Sequence, residues 1–247
     1  MMQAPTIHPS LSVITTTDPA ANQLPQLLRA LSILATEAEQ TIEVVIVDDL
    51  KLWPDADSCT YEHYDNLLIN TLWYPEIRGQ LTAILCGIEV ALHDQLLTID
   101  PDMHTCVQDI SAMQTTIARG YSVVHGARPQ REDIGAIRRL GSHLANTIVK
   151  RLTHIHVNDI GSPVALIDRY TLQNLAPLLP QGPNPKLALY MALGNQVASQ
   201  PLSAGSAKEV PSQYSLGMLV SVFVRLIRDC IILRARQHKS PAEYEQT

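Results

Sequence analysis

Between residues 11 and 125 the chain repeats one pattern: a short apolar run of strand length, then a longer segment with apolar residues at helical spacing. The runs are Leu11-Ser-Val-Ile14, Glu43-Val-Val-Ile-Val47, Leu96-Leu-Thr-Ile99 and Tyr121-Ser-Val-Val-His125. After the first run, Leu24, Leu27, Leu28, Leu31 and Leu34 hold the i, i+3, i+4, i+7 spacing of one buried helix face. Leu81, Ile84, Leu85, Ile88 and Leu92 do the same before the third run. Val107, Ile110, Met113 and Ile117 follow it, and Arg119-Gly120 ends that helix. Strands alternating with helices predict an α/β fold with a mostly parallel sheet and helices on both faces. Residues 50–78 are poorly periodic. There Trp53-Pro54-Asp55 is expected as a loop and Leu67-Leu68-Ile69 as an edge strand.

Two of the runs stop in acids, Asp48-Asp49 and Asp100-Pro101-Asp102. Open α/β sheets bind ligands at the carboxyl edge, where such residues are delivered. Residues two apart on an extended chain point to opposite faces, so the turn that Pro101 starts has to bring Asp100 and Asp102 toward one cation. Two hard oxygen ligands suit Mg²⁺ or Mn²⁺, with a phosphorylated substrate completing the shell. His104, two residues on, is a candidate metal ligand or phosphate donor. The plain alternative is a strand followed by an Asp-Pro turn, with His104 a loop residue. Arg78, Arg128, Arg138 and Arg139 are candidates for holding phosphates; each taken singly fits a solvated surface charge better. His154 and His156 alternate with apolar residues, as on one face of an extended piece.

Composition narrows the function. The 247 residues fit one large domain, or one domain plus an appendage. With 46% apolar and 17% charged residues the chain can fill a core and is not disordered. Aromatics are only 4% and the net charge is −6, which argues against a nucleic-acid partner. The four cysteines form no Cys-x-x-Cys pair, so no disulfide framework or zinc site is expected and a reducing compartment fits. No signal peptide is expected, because a basic segment followed by an apolar run is missing at the start. No stretch is long enough and free enough of charge to span a membrane.

Later segments are less regular. Asp18 can cap the first helix. Residues 136–152 form a basic helical segment, Asn158-Asp-Ile-Gly161 a turn, Val164-Ala-Leu-Ile167 a strand, and 169–179 a short helix. Prolines and glycines crowd 177–211, so loops are expected there, with one strand at Leu187 to Leu193. From Leu216 to Leu233 the chain is nearly all apolar, with Ser221, Arg225, Arg228 and Asp229 at helical spacing and Arg234, Arg236, His238 and Lys239 at its end. Such a helix either lies in a membrane interface against anionic headgroups or packs on the domain or on a second copy of the chain, as in a homo-oligomer.

Several of these motifs in order carry a resemblance. They are Leu11–Ile14, Val44–Asp49, Arg78-Gly-Gln-x-x-Ala-x-x-x-Gly87, Leu97-Thr-Ile-Asp-Pro-Asp102 and Val123-Val-His-Gly-Ala-Arg128. Together they resemble the family 2 glycosyltransferases of GT-A fold, in the branch of dolichyl-phosphate mannosyltransferase and the bacterial polyprenyl-phosphate glycosyltransferases. Arg138–Leu152, the Asp159-Ile-Gly-Ser turn and Ser212-Gln-Tyr214-Ser-Leu are similar to that branch's later segments.

The resemblance implies a GT-A domain over residues 1–210 and an amphipathic helix with a basic tail over 211–247. It implies sugar transfer from a nucleotide-diphosphate sugar to a lipid phosphate, with Mg²⁺ or Mn²⁺, at the cytoplasmic face of a membrane contacted peripherally through 216–239. Asp100, Asp102 and His104 then match the metal site. Asp18, Asp48 and Asp49 fall on the nucleotide side, and Arg78 and Lys208 are further donor contacts. Asp102, Arg128 and Arg139 (or Arg138) would carry the transfer. Two departures fall on the nucleotide-base side. Thr15-Thr-Thr-Asp18-Pro-Ala stands where the family has Pro-x-x-Asn-Glu-Glu, and Leu50-Lys-Leu where it has Gly-Ser-Thr. Alternative readings are a GT-A transferase with a non-lipid acceptor and a non-catalytic relative that scaffolds a membrane-linked pathway.

Overall fold

The computed structural model describes residues 11–17, 23–48, 64–73, 86–129, 136–175, 184–203 and 216–237. Its strands are β1 (Leu11–Thr16), β2 (Ile42–Asp48), β3 (Leu67–Trp73), β4 (Gln95–Thr98), β5 (Val123–Ala127), β6 (Ala165–Asp168) and β7 (Val197–Pro201). Its helices are α1 (Gln23–Glu37), α2 (Ile110–Ala118), α3 (Ala136–Thr153), α4 (Arg169–Leu175), α5 (Pro185–Leu193) and α6 (Leu216–Gln237). A 3₁₀ segment, Pro101–Asp109, leads into α2, and 86–90 are helical.

The strands form one seven-stranded sheet in the order β3-β2-β1-β4-β6-β5-β7. β1 pairs in parallel with β2 and β4, β2 with β3, and β5 with β7. Only β6 runs against its neighbours, β4 and β5. Every residue of β1 and β2 is buried, as central parallel strands covered on both faces require. β3 is the edge strand expected at Leu67.

The pleat divides the strand side chains between two cores. On one face Val13, Val44, Ile46 and Leu97 pack under the α1 leucines Leu27, Leu28 and Leu31, with Met103 and Met113 beside them. On the other, Ile14, Val45, Val47 and Leu96 meet Val149 of α3, Leu187 and Tyr190 of α5, and Cys230 and Leu233 of α6. Gly87 lets the 86–90 helix press on that second face: a Cβ there would stand 2.5 Å from Ile14 Cγ2 and 3.1 Å from Val47 Cγ2. At the amino edge of the sheet the buried Glu43 accepts hydrogen bonds from Ser12 Oγ, Asn70 Nδ2 and Leu92 N, tying β1, β2, β3 and the loop before β4 together.

One expectation is overturned. Leu187 to Leu193 is helix, not strand. Asn184 caps it, accepting from Leu187 N at 3.2 Å; Pro185 starts it and Gly194, at φ +54°, ends it. Leu187, Ala188, Leu189, Tyr190, Met191 and Leu193 are all buried. A helix enclosed on nearly every side has no polar face to reveal its period, so a short apolar run of this kind fits either state. The strand of this region, β7, comes directly afterwards, where a loop was expected.

The chain from Leu216 is a helix, as expected, and it packs across α3. Asp229, Cys230 and Leu233 point inward. Asp229 accepts the backbone N–H of Asn184 at 3.2 Å and a bond from Arg228. Val224 and Ile231, 59% and 55% exposed, point away. Among the described residues no helix is long and apolar enough to cross a membrane.

Candidate active site

The sheet topology decides which chain ends meet. β1, β2 and β4 are mutually parallel, so their carboxyl ends share an edge. β6 opposes both β4 and β5, so β5 also ends at that edge, and the turn before β6 lies there too.

Asp48 is the last residue of β2 and is 1% exposed. Thr17 extends β1 beside it: its N–H donates to Val47 O at 3.2 Å and its Oγ1 to Asp48 Oδ1 at 3.1 Å. Just past β4, Ile99 N still donates to Ile14 O at 3.1 Å. The chain then turns. Asp100 stays extended (φ −82°, ψ 150°), Pro101 opens the 3₁₀ segment, and Asp102 sits in its first turn. Proline's fixed φ and missing N–H favour such a start, and carboxylates at a helix start meet unpaired N–H groups. Met103 N donates to Asp100 O at 2.9 Å, and buried Met103 and Cys106 anchor the turn in the core. Pro101 therefore removes the strand geometry that would have sent the two acids to opposite faces. His104 Nδ1 is buried without a hydrogen-bond partner. Among the described residues no three His, Cys, Asp or Glu side chains converge as a metal cage.

Arg128 follows β5. Its Nε donates to Asp159 Oδ2 at 2.7 Å and its Nη2 to Asp159 Oδ1 at 3.1 Å, a bidentate pair. Its backbone N–H adds a third bond to Oδ2 at 3.3 Å. Burial by itself disfavours the charged guanidinium. The bonds to Asp159, then the charges of Asp159, Asp102 and Asp100, more than reverse that and raise its pKa. Arg128 thus shares one neighbourhood with the two strand-end acids.

Asp159 stands at φ +51°, in the left-handed region that Asp tolerates better than most residues. Its carbonyl accepts from Ser162 N at 2.8 Å and bonds His125 Nε2 at 2.8 Å. A carbonyl only accepts, so His125 carries its proton on Nε2, and Nδ1 takes the hydroxyl proton of Tyr190 at 3.1 Å. Burial, helped by the charge of Lys186, pushes the His125 pKa down to about 3 and holds the ring neutral. Lys186 of α5 donates to Ile160 O at 3.1 Å and to Ser162 O. Burial, and then the Arg128 charge, lower its pKa to about 8 against the opposing pull of Asp159 and Asp100.

Of the residues singled out in sequence, Asp48, Asp100, Asp102, His104 and Arg128 lie in the strand-end segments that form this edge. Asp18, Asp49, Arg78 and Lys208 lie outside the described residues. Arg138 and Arg139 are in α3, and their side chains lie outside the described ones. Asp159, His125 and Lys186 were not singled out as site residues. The Asn-Asp-Ile-Gly turn signal marked the position of Asp159 without its partner, and neither His125 nor Lys186 has a local signal.

The model of glycosyl transferase family 2 matches residues 13–175. The undecaprenyl-phosphate 4-deoxy-4-formamido-L-arabinose transferase of Aeromonas hydrophila is 28% identical over 155 residues, 60% of this chain and 46% of that protein. The enzyme of the same name from Pseudomonas aeruginosa is 32% identical over 139 residues, 56% of this chain and 41% of that protein. The chain therefore spans less than half the length of these two relatives. In three dimensions it resembles glucosyl-3-phosphoglycerate synthase of Mycobacterium tuberculosis, solved with Mn²⁺ and uridine-diphosphate-glucose. The TM-score is 0.62 at 16% identity, over 90% of this chain and 79% of the other. That likeness concerns the fold, which is GT-A. Because the family match runs from β1 through α4 and takes in the strand ends that carry Asp48, Asp100, Asp102 and Arg128, the chain belongs to glycosyl transferase family 2.

Proposed function

We propose that this chain is an inverting, metal-dependent glycosyltransferase that moves a sugar from a nucleotide-diphosphate donor to a polyprenyl phosphate. The observation that carries the reading is the sheet pairing that delivers the strand ends bearing Asp48, Asp100, Asp102 and Arg128 to one carboxyl edge. Family membership supports sugar transfer. The names of the two bacterial relatives supply the acceptor class, undecaprenyl phosphate. The Mycobacterium tuberculosis protein, solved with Mn²⁺ and uridine-diphosphate-glucose, supports a divalent ion and a nucleotide-sugar donor.

The donor set fits Mg²⁺ or Mn²⁺. Asp100 and Asp102 offer hard oxygens, and the orphaned His104 Nδ1 lies two residues from Asp102. Two carboxylates with diphosphate oxygens and water make an ordinary shell for these ions. When bound, the ion would neutralise charge developing on the leaving diphosphate.

The chain's own residues do the rest. Asp48, with Asp49 and Asp18, faces the nucleotide. Arg128 spends two of its five N–H donors on Asp159, and the remaining edge can grip a phosphate. Arg139 or Arg138, Arg78 and Lys208 add positive charge around the phosphates. An acceptor phosphate is anionic at neutral pH, so no strong general base is needed. One acceptor oxygen attacks the sugar carbon from the face opposite the diphosphate. A carbon–oxygen bond forms as the bond to the diphosphate breaks, which inverts that carbon. Orientation and charge stabilisation supply the rate. The outward face of α6, with the basic residues to 239, rests on the headgroups at the cytoplasmic side, which brings the lipid phosphate to the edge.

The test is calorimetry of the purified chain with Mn²⁺ and a panel of nucleoside diphosphates, followed by transfer to undecaprenyl phosphate in detergent. Tight binding of one diphosphate only with metal, and a sugar-lipid product that EDTA abolishes, is the expected result. Binding of none would leave a non-catalytic scaffold. Binding without lipid glycosylation would move the acceptor to a soluble phosphate or sugar.

A further inference from the structure

We propose that the turn at 159–162 is a built clamp for Arg128: Asp159 is a positioning residue that aims the guanidinium at a phosphate beside Asp100 and Asp102, and Lys186 holds the turn in place from α5. The proposal rests on reading that edge as a diphosphate site.

The geometry is directional. Asp159 covers the Nε–Nη2 edge of Arg128, so the Nη1 side is the one left to meet a ligand. Gly161 lies alongside, where an added Cβ would stand 3.7 Å from Nη2. The bidentate pair fixes the guanidinium in plane as well as in position. A free arginine loses much rotameric freedom when it grips a phosphate, whereas this one has lost it already.

The turn that holds Asp159 is itself over-determined. A non-glycine residue at φ +51° persists only when its surroundings demand it. Here they do. His125 of β5 holds the Asp159 carbonyl. Asn146 of α3 accepts from Ile160 N at 3.0 Å. Lys186 of α5 donates to the carbonyls of Ile160 and Ser162. Three separate elements, β5, α3 and α5, therefore converge on the turn at 159–162. Lys186 has no carboxylate hydrogen-bonded to it among the described residues. Its ammonium lies 5.8 Å from the Tyr190 ring centroid and is taken up by backbone carbonyls. A partly desolvated ammonium is costly unless its donors are used, and here they are used on the turn.

The test is a double-mutant cycle read by calorimetry with Mn²⁺ and inorganic pyrophosphate, a diphosphate without a base. Asn is at home in the left-handed region, so Asp159→Asn keeps the turn and removes the charge. It is expected to weaken binding about tenfold, the scale of one lost charge-assisted hydrogen bond. Lys186→Met is expected to weaken it several-fold. In an Arg128→Ala background neither change should weaken it further, since both act through Arg128. Additive losses, or no loss from either single change, would overturn the clamp.

NMR of the Arg128 Nε–H gives a readout independent of ligand. The signal should be slow to exchange in the wild type, broadened in Lys186→Met and fast to exchange in Asp159→Asn. An unchanged signal in both variants overturns the proposal whatever binds. A wild-type chain that binds no pyrophosphate but shows this NMR pattern would sink the diphosphate reading and keep the clamp.

Discussion

The Asp159 carboxylate takes both Nε and Nη2 of Arg128, at 2.7 and 3.1 Å, across 31 residues of sequence. The pair stands at the sheet edge where Asp48, Asp100 and Asp102 also end. Asp159 is bonded to this arginine, and the charges of Asp102 and Asp100 also bear on it. A guanidinium so held keeps its place whether or not phosphate is present.

Asp102→Ala is expected to abolish sugar transfer, by at least about a hundredfold, the scale of removing one contact to a developing charge. Asp102 is only partly buried at the start of the 3₁₀ segment. Stability should therefore change by no more than about 0.5 kcal/mol. Turnover and a urea melt on the same preparation check both halves. Normal turnover would remove Asp102 from the site.

His125 should impose a pH dependence on stability. Its folded pKa lies near 3 and its unfolded value near 6.5. Between those values the unfolded chain binds a proton that the folded chain refuses. The contribution of neutral His125 is therefore complete above pH 6.5 and lost as pH falls, at up to about 1.4 kcal/mol per unit. Urea melts over this range should show a shallower acid slope for His125→Gln than for the wild type. Parallel slopes would mean that the ring protonates inside the fold.

Two glycines in helices should respond with opposite signs to the same change. Gly87→Ala places a methyl 2.5 Å from Ile14 Cγ2, a fully buried branched side chain at the centre of the sheet. Overpacking of this kind costs about 1–3 kcal/mol, more than the gain of about 1 kcal/mol in helix propensity. At Gly141 of α3 an added Cβ meets nothing within 4 Å. Gly141→Ala should therefore gain about 0.5–1 kcal/mol from propensity alone. Thermal melts of the two variants check the contrast, and a stabilised Gly87→Ala would mean that helix 86–90 can shift away from β1.

The outward face of α6 should govern membrane binding without governing stability. Val224 and Ile231 point away from the domain, whereas Cys230 and Leu233 pack into it. Val224→Glu with Ile231→Glu should abolish flotation with anionic liposomes and leave the melting temperature nearly unchanged. Undiminished flotation, or no flotation of the wild-type chain, would remove α6 from the proposed membrane contact.

The residues legible in sequence were those whose signal is local. The α1 leucines announce a helix by spacing, and the buried runs of β1 and β2 announce central strands. Asp100-Pro101-Asp102 announces a turn with two acids at a strand end. The stretch from Leu187 to Leu193 misled because it is buried almost all round, so its helical period is hidden. Its caps, Asn184-Pro185 and Gly194, were the better guide.

Sequence by itself therefore determined the alternation of elements and the acids that end the strands, because each depends on neighbours a few residues away, and it determined the family through the order of those local motifs along the chain. Tertiary structure decided the rest. That β6 runs against β4 and β5 is what carries the turn before it to the edge where Arg128 follows β5. The Arg128–Asp159 pair and the supports from His125 and Lys186 follow from that placement. No local preference of any of the four residues contains it, because hydrogen bonds between distant segments exist only once the sheet has fixed which chain ends meet.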